Sequence, residues 1–240
     1  MEQPPSGDPP ERFKTTRWTL VSEAADPQNP LHDEALAHLL ALYRPALWSH
    51  LVNRRRIDPQ KADDLLQEFI LRKILLYNLM KHADRARGKF RTLLLTSLDN
   101  FVRTALGKHD PPEIPDGWDP AYRAAGPDQE FDVPWARQVL QETLRRMQAE
   151  CRHSDRMVIW DIFESRILSP ALEGAIPLGY DQLVARHELQ SPGQASNLLM
   201  TSKRMFERNL RSVIGEYTEE NEIDDEIVQL RQILSGAANR

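Results

Sequence analysis

Leu36, Leu39, Leu40, Tyr43, Leu47 and Leu51 stand three, one, three, four and four residues apart, the spacing that puts side chains on one side of an α-helix. After Asp58-Pro59 the same period returns in Leu65, Leu66, Phe69, Ile70 and Leu76. Beyond the polar break at 84–88 it returns again in Phe90, Leu94, Leu98, Phe101, Val102 and Ala105. Each stripe can leave water only by packing on another, so three or four amphipathic helices should form a bundle over residues 31–106. Runs of β-branched residues are few, and 10 Gly against 17 Pro favour helices joined by Pro-marked breaks. The predicted fold class is all-α.

Pro111, Pro112, Pro115, Pro120 and Pro127 fall in an acidic stretch without apolar period, which reads as a linker over 107–132. Two small helical domains follow from that break. A second block over 133–216 should open at Val133-Pro134-Trp135, where Pro suits a first helical position, and continue through Leu140, Leu144, Met147 and Cys151. Residues 1–30 form a leader that is polar at its start. Residues 217–240 form an acidic tail whose Ile223, Ile227, Leu230 and Leu234 make one seam of a short helix. That seam should dock on the second block and bring its acids toward Lys203, Arg204, Arg208 and Arg211.

The net charge of −5 argues against a chain that simply coats nucleic acid, but the sign varies along the sequence. Residues 50–106 hold twelve Lys and Arg against six Asp and Glu, whereas 216–226 holds seven acids and no base. One cysteine, Cys151, excludes an internal disulfide and suits a reducing cytoplasm. No stretch approaches the roughly 18 apolar residues of a membrane span, so a cytoplasmic location without membrane contact is expected. No Gly-rich phosphate loop, Gly-x-Ser-x-Gly elbow or His-Glu-x-x-His pair occurs, and a non-enzymatic chain without cofactor or metal is expected.

Tyr180-Asp181-Gln182-Leu183-Val184-Ala185-Arg186, then Ser191-Pro192-Gly193-Gln194, has the form of a helix-turn-helix. Ser191 is placed to cap the second helix and Pro192 to open it, while small Ala185 permits close helix approach. The second helix should present Gln194, Ser196, Asn197, Thr201, Lys203 and Arg204. Gln and Asn can pair with adenine edges, and Lys and Arg with phosphate or guanine. A plain helical hairpin with a polar face fits the same residues.

Ala62-Asp63-Asp64-Leu65-Leu66-Gln67-Glu68-Phe69 and Arg87-Gly88-Lys89-Phe90-Arg91-Thr92 resemble the sigma-70 family, in particular the planctomycete-like extracytoplasmic-function (ECF) group. Thr15-Thr16-Arg17-Trp18-Thr19-Leu20-Val21 and the Glu222-Ile223-Asp224-Asp225-Glu226-Ile227 run are similar to that group as well. The resemblance implies a region 2-like bundle, a region 4-like helix-turn-helix, and two partners, core RNA polymerase and promoter DNA. An anti-sigma or other regulatory protein is a further partner of such factors. It implies polymerase docking through Asp63, Asp64, Gln67, Glu68 and Phe69, and contact with the melted strand through Lys89, Phe90, Arg91, Asn100 and Arg103. Basic groups tracking phosphates beside an aromatic ring suit a single strand, although Phe101 reads as core.

The chain departs from the family where basic residues are common: Ser196, Leu198 and Met200 occupy such positions, and Glu188 stands where a turn Gly is usual. These departures leave two alternatives to a promoter-directing sigma factor. One is a sigma-like interaction protein that does not initiate. The other is a helix-turn-helix repressor, usually dimeric, that ignores polymerase.

Overall fold

The computed structural model describes residues 19–83, 89–107 and 128–238, and these are helical with no strand among them. The all-α class holds. The break at 84–88, most of the expected linker and the Thr15 to Trp18 part of the amino-terminal motif lie outside the described residues.

Helix α1 (Thr19–Ala25) falls inside the expected leader yet buries Val21 and Ala24 against α2 (His32–Ser49). The carboxyl end of α2 widens into a π-helical turn (His50–Arg54), which brings Ser49 and His50 to the interior. Asp58 then caps α3 (Pro59–Phe69), its carboxylate accepting from the backbone N–H groups of Gln60 at 3.0 Å and Lys61 at 3.3 Å, with Pro59 at the first helical position.

Beyond Phe69 the helix opens again into a π-helical stretch, Ile70–Leu76. Each i→i+5 turn holds more residues than an α-turn, so the apolar phase slips. Ile74 is buried and Leu76, assigned by its spacing to the core stripe, is 76% exposed. A turn through Asn78, in the left-handed region at φ 51°, lets its side-chain amide donate to the carbonyl of Ala25 at 2.8 Å. Leu79 and Met80 in the following short 3₁₀ turn return to the core, and α4 (Phe90–Ala105) completes the first block.

Helix α5 starts at Gln129, not at Val133, and runs to His153, about 37 Å at 1.5 Å per residue. Pro134 therefore lies inside the helix and not at its start. The carbonyl it leaves unbonded belongs to exposed Glu130, where water can satisfy it. The amino-terminal half of α5 gives Phe131, Trp135, Ala136 and Val139 to the same buried cluster as α1 to α4. The expected linker thus separates two stretches of sequence but not two cores.

The other half of α5 packs Met147 and Cys151 with Ile159, Trp160 and Phe163 of α6 (Met157–Phe163) and with Met205. A short α7 (Ser169–Glu173) leads to α8 (Tyr180–His187) and α9 (Pro192–Gly215), which share a third cluster of Ile162, Leu183, Ala195 and Leu199. The tail forms α10 (Ile223–Ala238), lying on α5 and α9 as its seam predicts, with Ile223 and Leu230 buried. No helix among the described residues is long and apolar enough to cross a membrane.

Glu188, between α8 and α9, is held at φ 52°, ψ 39°, and its side chain is exposed. A Cβ in the left-handed region costs roughly 1 kcal/mol that glycine avoids. Glu188→Gly should therefore raise stability by about 1 kcal/mol and lift the Tm followed by circular dichroism. A lower Tm would mean that the side chain contributes something the turn geometry does not show.

Candidate nucleic-acid interface

The turn before α9 is built by side-chain capping. Ser191 Oγ accepts from the Gln194 backbone N–H at 3.2 Å, and Gln194 Oε1 accepts from the Gln190 backbone N–H at 2.7 Å. The second bond engages one lone pair of the Gln194 oxygen at the helix start, so an adenine pairing through both amide atoms would have to share that acceptor. Ala185 is exposed, and the close approach of the two helices occurs at fully buried Ala195 instead.

From that anchor α9 turns Asn197, Met200, Lys203 and Arg204 to solvent, with Ser196 and Thr201 half-buried. Thr201 Oγ1 donates to the Asn197 carbonyl at 3.0 Å. Among the described residues neither Lys203 nor Arg204 enters an ion pair. Farther along, Arg208 pairs with Glu150 of α5 and Arg211 with Asp224 of α10. Of the four bases expected to meet tail acids, Arg211 alone has such a pairing among the described contacts.

On α3, Asp64 and Gln67 are exposed, Asp63 sits 3.4 Å from Arg44, and Glu68 pairs one turn on with Arg72 at 2.8 Å. Phe69 does not join them: it is fully buried, its ring 5.7 Å from that of Phe101. The π-helical stretch adds apolar groups that periodicity assigned no role on the surface, with Leu71 51%, Leu75 49% and Tyr77 41% exposed.

On α4 the expected strand-binding set divides. Phe90 is core, its ring 5.3 Å from Tyr43. Asn100 is half-buried and Arg103 exposed near the helix end, about 21 Å along the axis from Lys89. Lys89 and Arg91 are held by α10. Lys89 Nζ lies 2.5 Å from Glu226 Oε2 and 2.5 Å from Gln229 Oε1. Arg91 pairs with Glu226, donates to Gln229 Oε1 at 2.8 Å, and lays its guanidinium over Trp135, 4.4 Å from the ring centre.

A second charged group in the interior gave no sequence signal. His50, 3% exposed, has Nδ1 2.5 Å from Asp128 Oδ2 and Nε2 2.8 Å from Asp99 Oδ1. Asp99 also accepts from Arg55 Nε at 2.8 Å. Burial works against the charged ring, but the bonds to Asp128 and Asp99 outweigh it and the His50 pKa is raised. Burial likewise opposes ionisation of the two carboxyls, and the bonds from His50 hold both below their ordinary range.

Cys151 is buried with Sγ 3.5 Å from Met205 Sδ, and burial pushes its thiol pKa up, away from reactivity. Among the described residues no group of three His, Cys, Asp or Glu is placed to hold a metal. Comparison with protein-family models, curated proteins and solved structures finds no match.

The His50 cluster sets a pH dependence. A raised His50 pKa adds stability that is complete below its ordinary 6.5 and is lost as pH rises through the raised value. The lowered Asp99 and Asp128 values add stability present above their ordinary 3.8 and lost as pH falls below it. The Tm should therefore be highest between these limits and decline on the alkaline side. His50→Gln should flatten that alkaline decline in thermal unfolding measured across a pH series, and an unchanged profile would remove His50 as its source.

Proposed function

We propose that this chain is a promoter-selecting sigma factor of the ECF type. In that role it binds core RNA polymerase through α3 and reads DNA through α9, and the chemistry of RNA synthesis belongs to the polymerase. The observation that carries the proposal is the outer side of α3 and its π-helical continuation. Asp64, Gln67, Leu71 and Leu75 are exposed in succession there. The two half-exposed leucines stand four residues apart at the end of a polar row, and acid and amide groups leading into such apolar anchors fit a basic protein surface with a hydrophobic centre.

The α8–α9 turn supports the second half. Its capped start orients α9, Asn197 offers both an acceptor and a donor, and Lys203 and Arg204 remain available for phosphates. One observation favours the alternative of a sigma-like protein that occupies polymerase without initiating: Lys89 and Arg91 are closed by α10. In vitro transcription from a genomic library with core polymerase separates these readings, since only an initiating factor gives discrete start sites. A polymerase-independent repressor would instead dimerise alone on size exclusion.

Asp64→Lys combined with Leu75→Asp should weaken core-polymerase binding by tenfold or more, roughly 1.4 kcal/mol, while the Tm moves little. Unchanged affinity would take α3 out of the interface. On DNA, Asn197→Ala should relax sequence preference by about 1–3 kcal/mol. Lys203→Ala and Arg204→Ala should weaken all sequences alike and flatten the salt dependence. Similar behaviour of the Asn and the basic variants in competition binding would overturn this division of roles.

A further inference from the structure

Glu226 belongs to the last helix of the chain, yet its side chain is 3% exposed and faces two cations of α4 that lie more than 130 residues earlier in sequence. A carboxylate this deep is tolerated because Lys89 and Arg91 converge on it. One turn later, Gln229 turns its amide oxygen, not its NH₂, to the same two side chains. To this pair α10 therefore presents only acceptor oxygens. That is the chemistry of a phosphate group, which arginine grips with the same forked geometry as a carboxylate.

The other acid of α10 with a cation partner, Asp224, engages Arg211 of α9. The helix thus reaches cations on both elements read above as DNA-facing. Its hold is limited. Ile223 and Leu230 are buried and Ile227, Ile233 and Leu234 only partly so, and a buried ion pair adds little net stability once desolvation is counted. Under the helix the Tyr217 hydroxyl is buried with no hydrogen-bond partner among the described residues.

We infer that α10 is a displaceable cover whose Glu226 carboxylate holds the place of a nucleic-acid phosphate on Lys89 and Arg91, so that single-stranded DNA competes with the chain's own last helix. The inference rests on the reading of α4 as a strand-binding face. It locates a restraint on α4, where the sequence alone brought the tail acids toward Lys203, Arg204, Arg208 and Arg211 of α9.

Full-length chain and its Glu226→Gln variant, titrated with labelled single-stranded DNA and followed by anisotropy, test it. Glu226→Gln keeps the shape and removes the competing charge, so it should bind about tenfold more tightly at low salt, and adding Arg91→Ala should abolish the gain. Hydrogen exchange of the wild-type chain should show residues 223–238 losing protection as DNA is added, a readout that holds even if Glu226→Gln folds poorly. Equal affinity of folded wild-type and Glu226→Gln chains, or full protection of α10 at DNA saturation, would overturn the cover. Loss of protection with inorganic phosphate at matched ionic strength would overturn the nucleic-acid assignment. Core-polymerase capture, run alongside, separates the two ideas. Capture without the Glu226→Gln gain rejects the cover and keeps the sigma reading, whereas the gain without capture does the reverse.

Discussion

The rest of the fold depends on the burial of Trp135. Its indole is fully enclosed, with the Arg91 guanidinium on one face and the Tyr217 ring at its edge, 6.1 Å between centres. Tyr217 in turn meets Tyr43, which meets Phe90. Four rings from α2, α4, α5 and the turn after α9 therefore interlock, each burying a large apolar area with edge-on contacts that favour a single arrangement. Because Trp135 lies on α5, this cluster ties the first bundle to the helix that carries the rest of the chain. The far half of α5 then places α6 and α9 through Met147, Cys151 and Met205. A displacement of Trp135 would disturb both ends at once.

Two charged groups are buried around that centre, and each lies between two groups of opposite sign. Glu226 faces Lys89 and Arg91 at the start of α4, and His50 faces Asp99 and Asp128 nearer its other end. Each ion is costly to dehydrate and each is compensated twice, so their contribution is to register more than to strength. The ion pairs fix α10 over the first turn of α4 and fix the start of α5 against the end of α2. Apolar packing alone tolerates sliding by a turn, whereas a charge moved one turn would lose its partners and keep its desolvation cost.

The surfaces left for partners differ in kind. The α3 face combines acid, amide and exposed leucine, a mixture suited to a protein surface with its own apolar centre. The α9 face is sparse, with one amide, two cations that enter no ion pair among the described residues, and the apolar Met200, and binding there would be driven mainly by phosphate neutralisation. The α4 pair differs from both, because its cations already have an intramolecular partner. In the proposed role, the balance between α10 and an outside anion would decide how much binding free energy reaches nucleic acid.

The sequence by itself determined the helical class, the Ser191-Pro192 helix start, the α8–α9 pair and the tail seam. All of these are local: a stripe needs neighbours three or four residues away, and a cap needs backbone N–H groups within three. Only the tertiary structure decided that Phe69 and Phe90 lie inside, since the same period serves a core stripe and an exposed aromatic row. It decided that Leu76 lies outside, because a π-helical turn shifts the phase that α-periodicity assumes. It also decided that the amino-terminal half of α5 joins the first core, although a proline-rich stretch precedes it. The two buried charge clusters left no trace in the sequence, because His50 and Asp128 are 78 residues apart and Lys89 and Glu226 are 137 apart. Contacts at such distances arise from how finished helices pack, and no periodicity within a helix encodes which charged side chain of another will face it.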